Sequence, residues 1–413
     1  MSVFKKELAS YPRTGFPLKV QVKPFDVETT YTELTQKKAE NRTKYHGPDS
    51  PLYAAIYPLV FITRLLGLAP YDFTADRMTP SDVLLAFSFA CIIIYCYIMY
   101  LVYMRFSSIA KVRSLLRVVE IAKVAVNFSV AIFDLITTIF TRRAFCRVWN
   151  GIQDFDDRLS QLGYPRKETR TVIAVWSLIT GQTVIWTLIN QSGMYAFSET
   201  WQYNVCYMIV YVGTGASVYK FVGMIIFLGQ RFRQLNRIAR ENLPPRIGYS
   251  SSNVSRKTVQ DLHNKLMLCS EAFGSLSSWS LLFWLGSLCM HSVINIYFFI
   301  DWMILTAWSD FTYRLVFNMW CWLIGFSTQL LAIHFACDYT ITEANSMGAI
   351  LIEWDARTIR KFPQDDTIRT SLHFLNRRLH FSAGGLCDVD LSLLTSIVSQ
   401  VSKYLMLLLQ FPA

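Results

Sequence analysis

Five runs of the chain contain no Asp, Glu, Lys or Arg: Val83–Met104 (22 residues), Thr171–Ser198 (28), Thr200–Tyr219 (20), Ala272–Ile300 (29) and Leu315–Cys337 (23). A helix needs about 20 apolar residues to cross a hydrocarbon core. Backbone groups find no water there, so each run must close its hydrogen bonds internally as a helix. Two further stretches share the apolar character but carry a few charges. Val118–Thr141 holds Glu120, Lys123 and Asp134; Leu386–Phe411 begins with Asp388 and Asp390 and holds Lys403. Together they predict an all-α membrane protein of seven transmembrane helices, at about 82–105, 118–141, 171–193, 203–228, 272–300, 313–337 and 386–411.

The connecting segments complete the plan. Residues 1–50 are polar, with no apolar core of signal-peptide length, and are expected to form a cytoplasmic segment ahead of a channel-like domain over 51–411. Pro51–Phe73 is apolar but interrupted by Pro58 and Arg64, which predicts a re-entrant or interfacial piece, with a full span as the alternative. Thr141–Arg170 mixes basic, acidic and apolar residues, as a solvated helix at a membrane surface does. Gly229–Ala239 continues the fourth span, and 229–271 forms a cytoplasmic loop with a flexible piece at 244–255.

Composition fits this reading. Hydrophobic residues make up 53% of the 413 and charged residues 17%, where a soluble domain carries about a quarter charged. The net charge of +11 is spread around the spans instead of forming a stripe for nucleic acid. With the N-terminus inside, the segments 1–81, 142–170, 229–274 and 338–380 hold 32 of the 40 Lys and Arg, and only Arg105–Arg117 runs against the trend. Positive-inside counting therefore favours an internal N-terminus and an external C-terminus, the inverted topology. The nine cysteines are scattered without C-x-x-C, so neither zinc nor a disulfide framework is indicated. No catalytic, phosphate-binding or dinucleotide motif occurs, so no enzyme activity and no cofactor are expected. The run Val212-Gly213-Thr214-Gly215-Ala216-Ser217 reads as close helix packing.

The carboxyl end carries the most specific pattern. Phe381-Ser382-Ala383-Gly384-Gly385-Leu386-Cys387-Asp388-Val389-Asp390 leads into a last helix ending Lys403-Tyr404-Leu405-Met406-Leu407-Leu408-Leu409-Gln410-Phe411. This resembles the signature of insect gustatory receptors: F-x-A-x-G-h-F-x-h-D, then T-Y, five hydrophobic residues and Q-F. Cys387 and Lys403 depart from it, standing where the family usually has Phe and Thr. The resemblance implies an insect chemoreceptor of the taste type, a tetrameric ligand-gated cation channel of the sensory-neuron plasma membrane. It implies assembly as a homo- or heterotetramer with other gustatory receptors, contact with membrane lipid, and opening by a small-molecule tastant (a sugar, a bitter compound or another). An odorant receptor of the same channel superfamily is the nearer alternative and a G-protein-coupled receptor the further one; the chain has no Asn-Pro of the kind the latter carries in its last helix.

The resemblance also implies that the last helix lines the pore, with Gln410 and Phe411 as outer gate and Leu407 beside them. Seven residues make nearly two helical turns, so Lys403 shares the face of Gln410, and Tyr404 that of Phe411. Four lysines around a pore would repel cations, which makes Lys403 matter to permeation. The alternative is that Tyr404 and Phe411 pack against the sixth helix. For the ligand pocket, expected in the outer half of the bundle, the candidates are Trp186, Asn190, Tyr207, Tyr211, His291, Asn295, Arg314 and Trp320. Aromatic rings with a few hydrogen-bonding groups suit a small organic ligand; anchoring at the membrane interface is the alternative for each.

Overall fold

The computed structural model describes residues 51–74, 76–108, 114–165, 168–197, 201–244, 254–305, 309–358, 376–408 and 410. Helix α1, Pro51–Leu65, ends where Gly67 adopts φ 76°. There Leu68 N–H closes on the Thr63 carbonyl at 2.8 Å. A side chain at Gly67 would also strike Cys91 at 2.8 Å, so glycine serves both the turn and the close approach. An antiparallel hairpin follows, β1 (Tyr71–Thr74) and β2 (Arg77–Pro80). The long helices come next: α2 Asp82–Ser108, α3 Ser114–Gln161, α4 Thr169–Phe197, α5 Trp201–Glu241, α6 Arg256–Leu305 and α7 Asp310–Asn345. Short α8, Met347–Thr358, precedes a two-residue hairpin, β3 (Ser382–Ala383) with β4 (Cys387–Asp388), and the last helix α9, Leu391–Leu408.

Among the described residues six helices are long and apolar enough to cross a membrane, and α9 is a shorter seventh. At 1.5 Å per residue, the 48 residues of α3 and the 50 of α6 each run about 70 Å or more, over twice the hydrocarbon thickness. Their excess length gathers at one end of the bundle. The hairpin β1–β2 sits on the second half of α3: the Asn150 side chain bonds both the N–H and the carbonyl of Met78 at 2.9 Å, and Trp149 donates to the Asp76 carbonyl. At this hairpin end Trp149 stacks on Phe227 of α5. Arg231 pairs there with Asp156 at 3.0 Å and Glu168 at 3.3 Å, all three buried. Asn236 of α5 bonds the Glu343 carbonyl, and His263 of α6 lies 3.0 Å from the Ala344 carbonyl.

Two boundaries differ from expectation. Thr141–Arg170 does not lie solvated on a membrane surface through its first two thirds. It continues α3 to Gln161 and buries Trp149, Ile152, Phe155 and Leu159 against α5 and α6. The last helix begins at Leu391, not 386, because Gly384 and Gly385 (φ 61° and 74°) turn the chain through β3–β4. A side chain at Gly384 would meet Leu282 at 2.7 Å, so the hairpin lies against α6. Asp390 then caps α9, its Oδ1 accepting from the Leu393 N–H at 2.8 Å. The glycines and aspartate of the tail motif thus set the angle at which α9 leaves the bundle.

Candidate functional site

In the half of the bundle away from the hairpin, aromatic residues of α4, α5, α6 and α7 converge. The ring of Trp322 lies 4.8 Å from that of Tyr211, 6.0 Å from that of Trp186 and 6.1 Å from that of Tyr207. His291 stacks on Phe326 at 4.7 Å and meets Tyr211 edge-on. Offset and edge-to-face contacts of this kind favour a defined arrangement over a fluid one. Below the cluster lies a cavity with a free volume of about 10 Å³, the room of one water, bounded by Asn127, Trp186, Tyr211, Trp284, Phe326 and Gln329 among others.

Polar atoms around this cluster are buried without partners. Neither ring nitrogen of His291 and neither amide atom of Asn295 is hydrogen-bonded, and each residue is 1% exposed. The Trp186 indole N–H and the Asn127 amide nitrogen share that state. Buried polar groups are normally bonded, and one left unmade costs about 1–3 kcal/mol. Asn127 and Trp186 line that small cavity, and His291 meets two of its other walls, Tyr211 and Phe326, so the region suits a molecule that brings donors and acceptors.

Of the eight pocket candidates, the structure brings together Trp186, Tyr207, Tyr211, His291 and, one helical turn from His291, Asn295. Asn190 stands at the rim, where the Asn204 side chain donates to both its carbonyl and its Oδ1 and ties α4 to the start of α5. Arg314 also stands at that end, paired with Asp310 and lying 4.2 Å over the Tyr195 ring. Trp320 is 48% exposed and packs edge-on against Phe299, outside the cluster. Sequence reasoning missed Trp322, Phe326 and Gln329. Their i, i+4, i+7 spacing is the signal of one helical face, the opposite face to Trp320.

Helix α9 shows a different pattern. Leu394, Ile397, Val401 and Leu405 form one half-buried stripe, with Leu394 and Ile397 packed on the core. On the opposite side Ser392, Ser396, Ser399, Lys403, Met406 and Gln410 follow one another at steps of three and four; all six are exposed, and all but Met406 are polar. Tyr404 and Leu407 flank the stripe and are exposed, at 59% and 53%. Phe411 lies outside the described residues. A helix with a polar face turned away from its own bundle needs water or a neighbouring chain on that face.

The comparisons agree with this architecture. Residues 56–412 match the family described as 7tm Chemosensory receptor. The gustatory receptor for sugar taste 43a of Drosophila melanogaster is 25% identical over 177 residues, covering 43% of this chain and 40% of that protein. The putative gustatory receptor 2a of the same fly is 40% identical over 67 residues, 16% of this chain and 15% of that one. The aligned parts therefore span less than half the length of these curated relatives. The structure of the insect olfactory receptor OR5 from Machilis hrabei in complex with eugenol superposes with a TM-score of 0.61 at 15% identity, over 86% of this chain and 97% of that one. A second structure of the insect olfactory receptor OR5 from Machilis hrabei gives 0.58 at 14%, over 87% and 98%. Those likenesses establish the fold, and with the apolar helices they make this a multi-pass membrane protein. The chain belongs to the 7tm chemosensory receptor family.

Proposed function

We propose that the chain is a taste receptor that is itself a ligand-gated cation channel, with four copies arranged so that their α9 helices line a central path. The observation that carries this reading is the α9 stripe. A serine, lysine and glutamine face opposite the packed face is what a water-filled path shared by several copies requires, and lipid tails offer such a face nothing. Rings of serine hydroxyls and glutamine amides can replace part of a cation's water, while Leu407 and Phe411 supply the apolar constriction. The ligand is a small organic molecule with several hydrogen-bonding groups, held among Trp322, Tyr211, His291 and Asn295. The free volume there is small, so binding expands the cluster, and that displacement is the event that reaches α9 through α6 and α7. The gustatory assignment is supported by the tail motif and by the two fly receptors. The olfactory assignment is favoured by likeness to OR5, which at 15% identity is a likeness of fold.

The basic residues support an N-terminus inside and a C-terminus outside in the plasma membrane. The assembly in this reading is a homo- or heterotetramer with related receptors. Whole-cell recording from cells expressing the chain, with G-protein signalling blocked, tests the channel reading. A tastant-evoked current that persists supports it, and a current abolished by the block overturns it.

A further inference from the structure

At the hairpin end a second cavity, with a free volume of about 70 Å³, lies between α1, α4 and α5. That is several times the space of about 10–15 Å³ that one water centre needs. Its wall is apolar apart from Thr63, Thr171, Gln230, the Tyr71 hydroxyl and a single cation, Lys220. The Lys220 ammonium donates to the Leu68 carbonyl at 2.7 Å and lies 4.9 Å from the Phe145 ring and 5.4 Å from the Tyr71 ring. It makes no ion pair among the described residues; Asp134, the carboxylate that acts on it through space, is itself bonded by Trp284 at 2.7 Å. An ammonium has three donors, and a cation in an apolar wall is best compensated by an anion that hydrogen-bonds to it.

The cavity also has a direction. Its half-buried lining residues Leu59, Leu178 and Gly223 face one another, and a side chain on Gly223 would touch Leu59 at 3.4 Å and Leu178 at 3.9 Å. These three form the mouth between α1 and α4. The surfaces beside that mouth carry Phe61 and Trp176, each about half exposed, as a hydrocarbon-facing surface does. A chain leaving the cavity here meets an apolar outer surface.

We propose that this cavity binds the carboxylate end of a single-chain amphiphile such as a fatty acid, the carboxylate paired with Lys220 and the hydrocarbon leaving between Leu59 and Leu178 into the membrane. The site is separate from the aromatic cluster and does not depend on the channel reading. An anion on Lys220 competes with Asp134, which in turn holds Trp284 in the wall of the other cavity.

The test uses the full-length protein in nanodiscs, palmitate carrying a photoactivatable diazirine near its carboxyl end, and peptide mapping of the adducts. Adducts are expected on the α1 and α4 peptides that contain Leu59 and Leu178. Lys220→Met, which keeps the side chain's length, and the methyl ester of the probe each remove the charge pairing. Either change lowers that labelling on the order of tenfold, the effect of about 1.4 kcal/mol. Ala174→Phe narrows the cavity from α4 and leaves Lys220 in place; it lowers labelling as well, and decides the matter if Lys220→Met does not yield monodisperse protein. Equal labelling by acid and ester, or labelling unchanged in Ala174→Phe, overturns the proposal. Adducts confined to the exposed face of α2 do the same.

Discussion

Trp284 of α6 donates its indole N–H to Asp134 of α3 at 2.7 Å, with both residues under 5% exposed. The pair ties the two longest helices together at mid-bundle, beneath the aromatic cluster. Trp284→Phe keeps the ring and removes the donor, leaving a buried carboxylate oxygen short of a partner. The expected loss is about 1–3 kcal/mol, read as a lower melting temperature of the detergent-solubilised protein by fluorescence-detected size exclusion. An unchanged melting temperature would show that the Ser217 and Ser280 side chains, which also face Asp134, make the pair redundant.

Arg231 should be less replaceable. Its guanidinium serves Asp156 and Glu168 together and lies 3.7 Å over the Phe227 ring. Arg231→Met removes the cation that Asp156 and Glu168 share, and removing one partner of a buried pair costs about 3–5 kcal/mol. Arg231→Lys should rescue only in part, because an ammonium cannot reach both carboxylates and stack in one pose. Surface expression is the readout, with the order parent, lysine, methionine expected.

His263 gives the hairpin end a pH dependence. It lies ahead of the apolar run of α6, packed edge-on to Phe232. Burial pushes its pKa down from 6.5 to about 4, against the opposing pull of the Ala344 carbonyl. Between those values the unfolded chain holds the extra proton and the folded one does not. Stability is therefore full above pH 6.5 and falls as the pH drops toward 4, by up to about 3 kcal/mol. Melting curves at about pH 7.5 and pH 5 should converge more closely for His263→Gln than for the parent.

The aromatic cluster should set ligand sensitivity. Replacing His291 with Leu removes two unpartnered nitrogens while filling similar space, so folding is maintained or improved. If the ligand bonds either nitrogen, half-maximal response shifts on the order of tenfold, the effect of one good hydrogen bond. A dose-response curve unchanged in His291→Leu, at equal surface expression, would place the ligand elsewhere.

The spans were legible because uncharged runs of 20 or more residues admit few other structures. What was not legible has physical causes. Trp320 and Trp322 lie in a largely apolar run, where residue type does not tell the inward face from the outward one and only the spacing of Trp322, Phe326 and Gln329 marks a shared face. The packed face of 149–159 was visible as Trp149, Ile152, Phe155 and Leu159. Its partners on α5 and α6, such as Phe227, come from dozens of residues downstream, so a solvated surface was the nearer reading. The start of α9 was missed because Leu386 and Val389 look like span residues, whereas Gly384 turns the chain and Asp390 caps it. Trp186, Tyr207, Tyr211 and His291 were legible as candidates from residue type and depth, and only the fold could say that Trp322 joins them.

The channel account rests on which side of α9 meets water. Ser396, Ser399, Ile397 and Val401 are each replaced by Cys in the otherwise unchanged protein, and a charged methanethiosulfonate reagent is applied during a tastant-evoked current. The account predicts that Ser396→Cys and Ser399→Cys lose most of their current as the reagent couples, while Ile397→Cys and Val401→Cys respond like the parent. Modification of Ile397→Cys and Val401→Cys with the two serine positions untouched would contradict it, because the water path would then run along the opposite face of the helix.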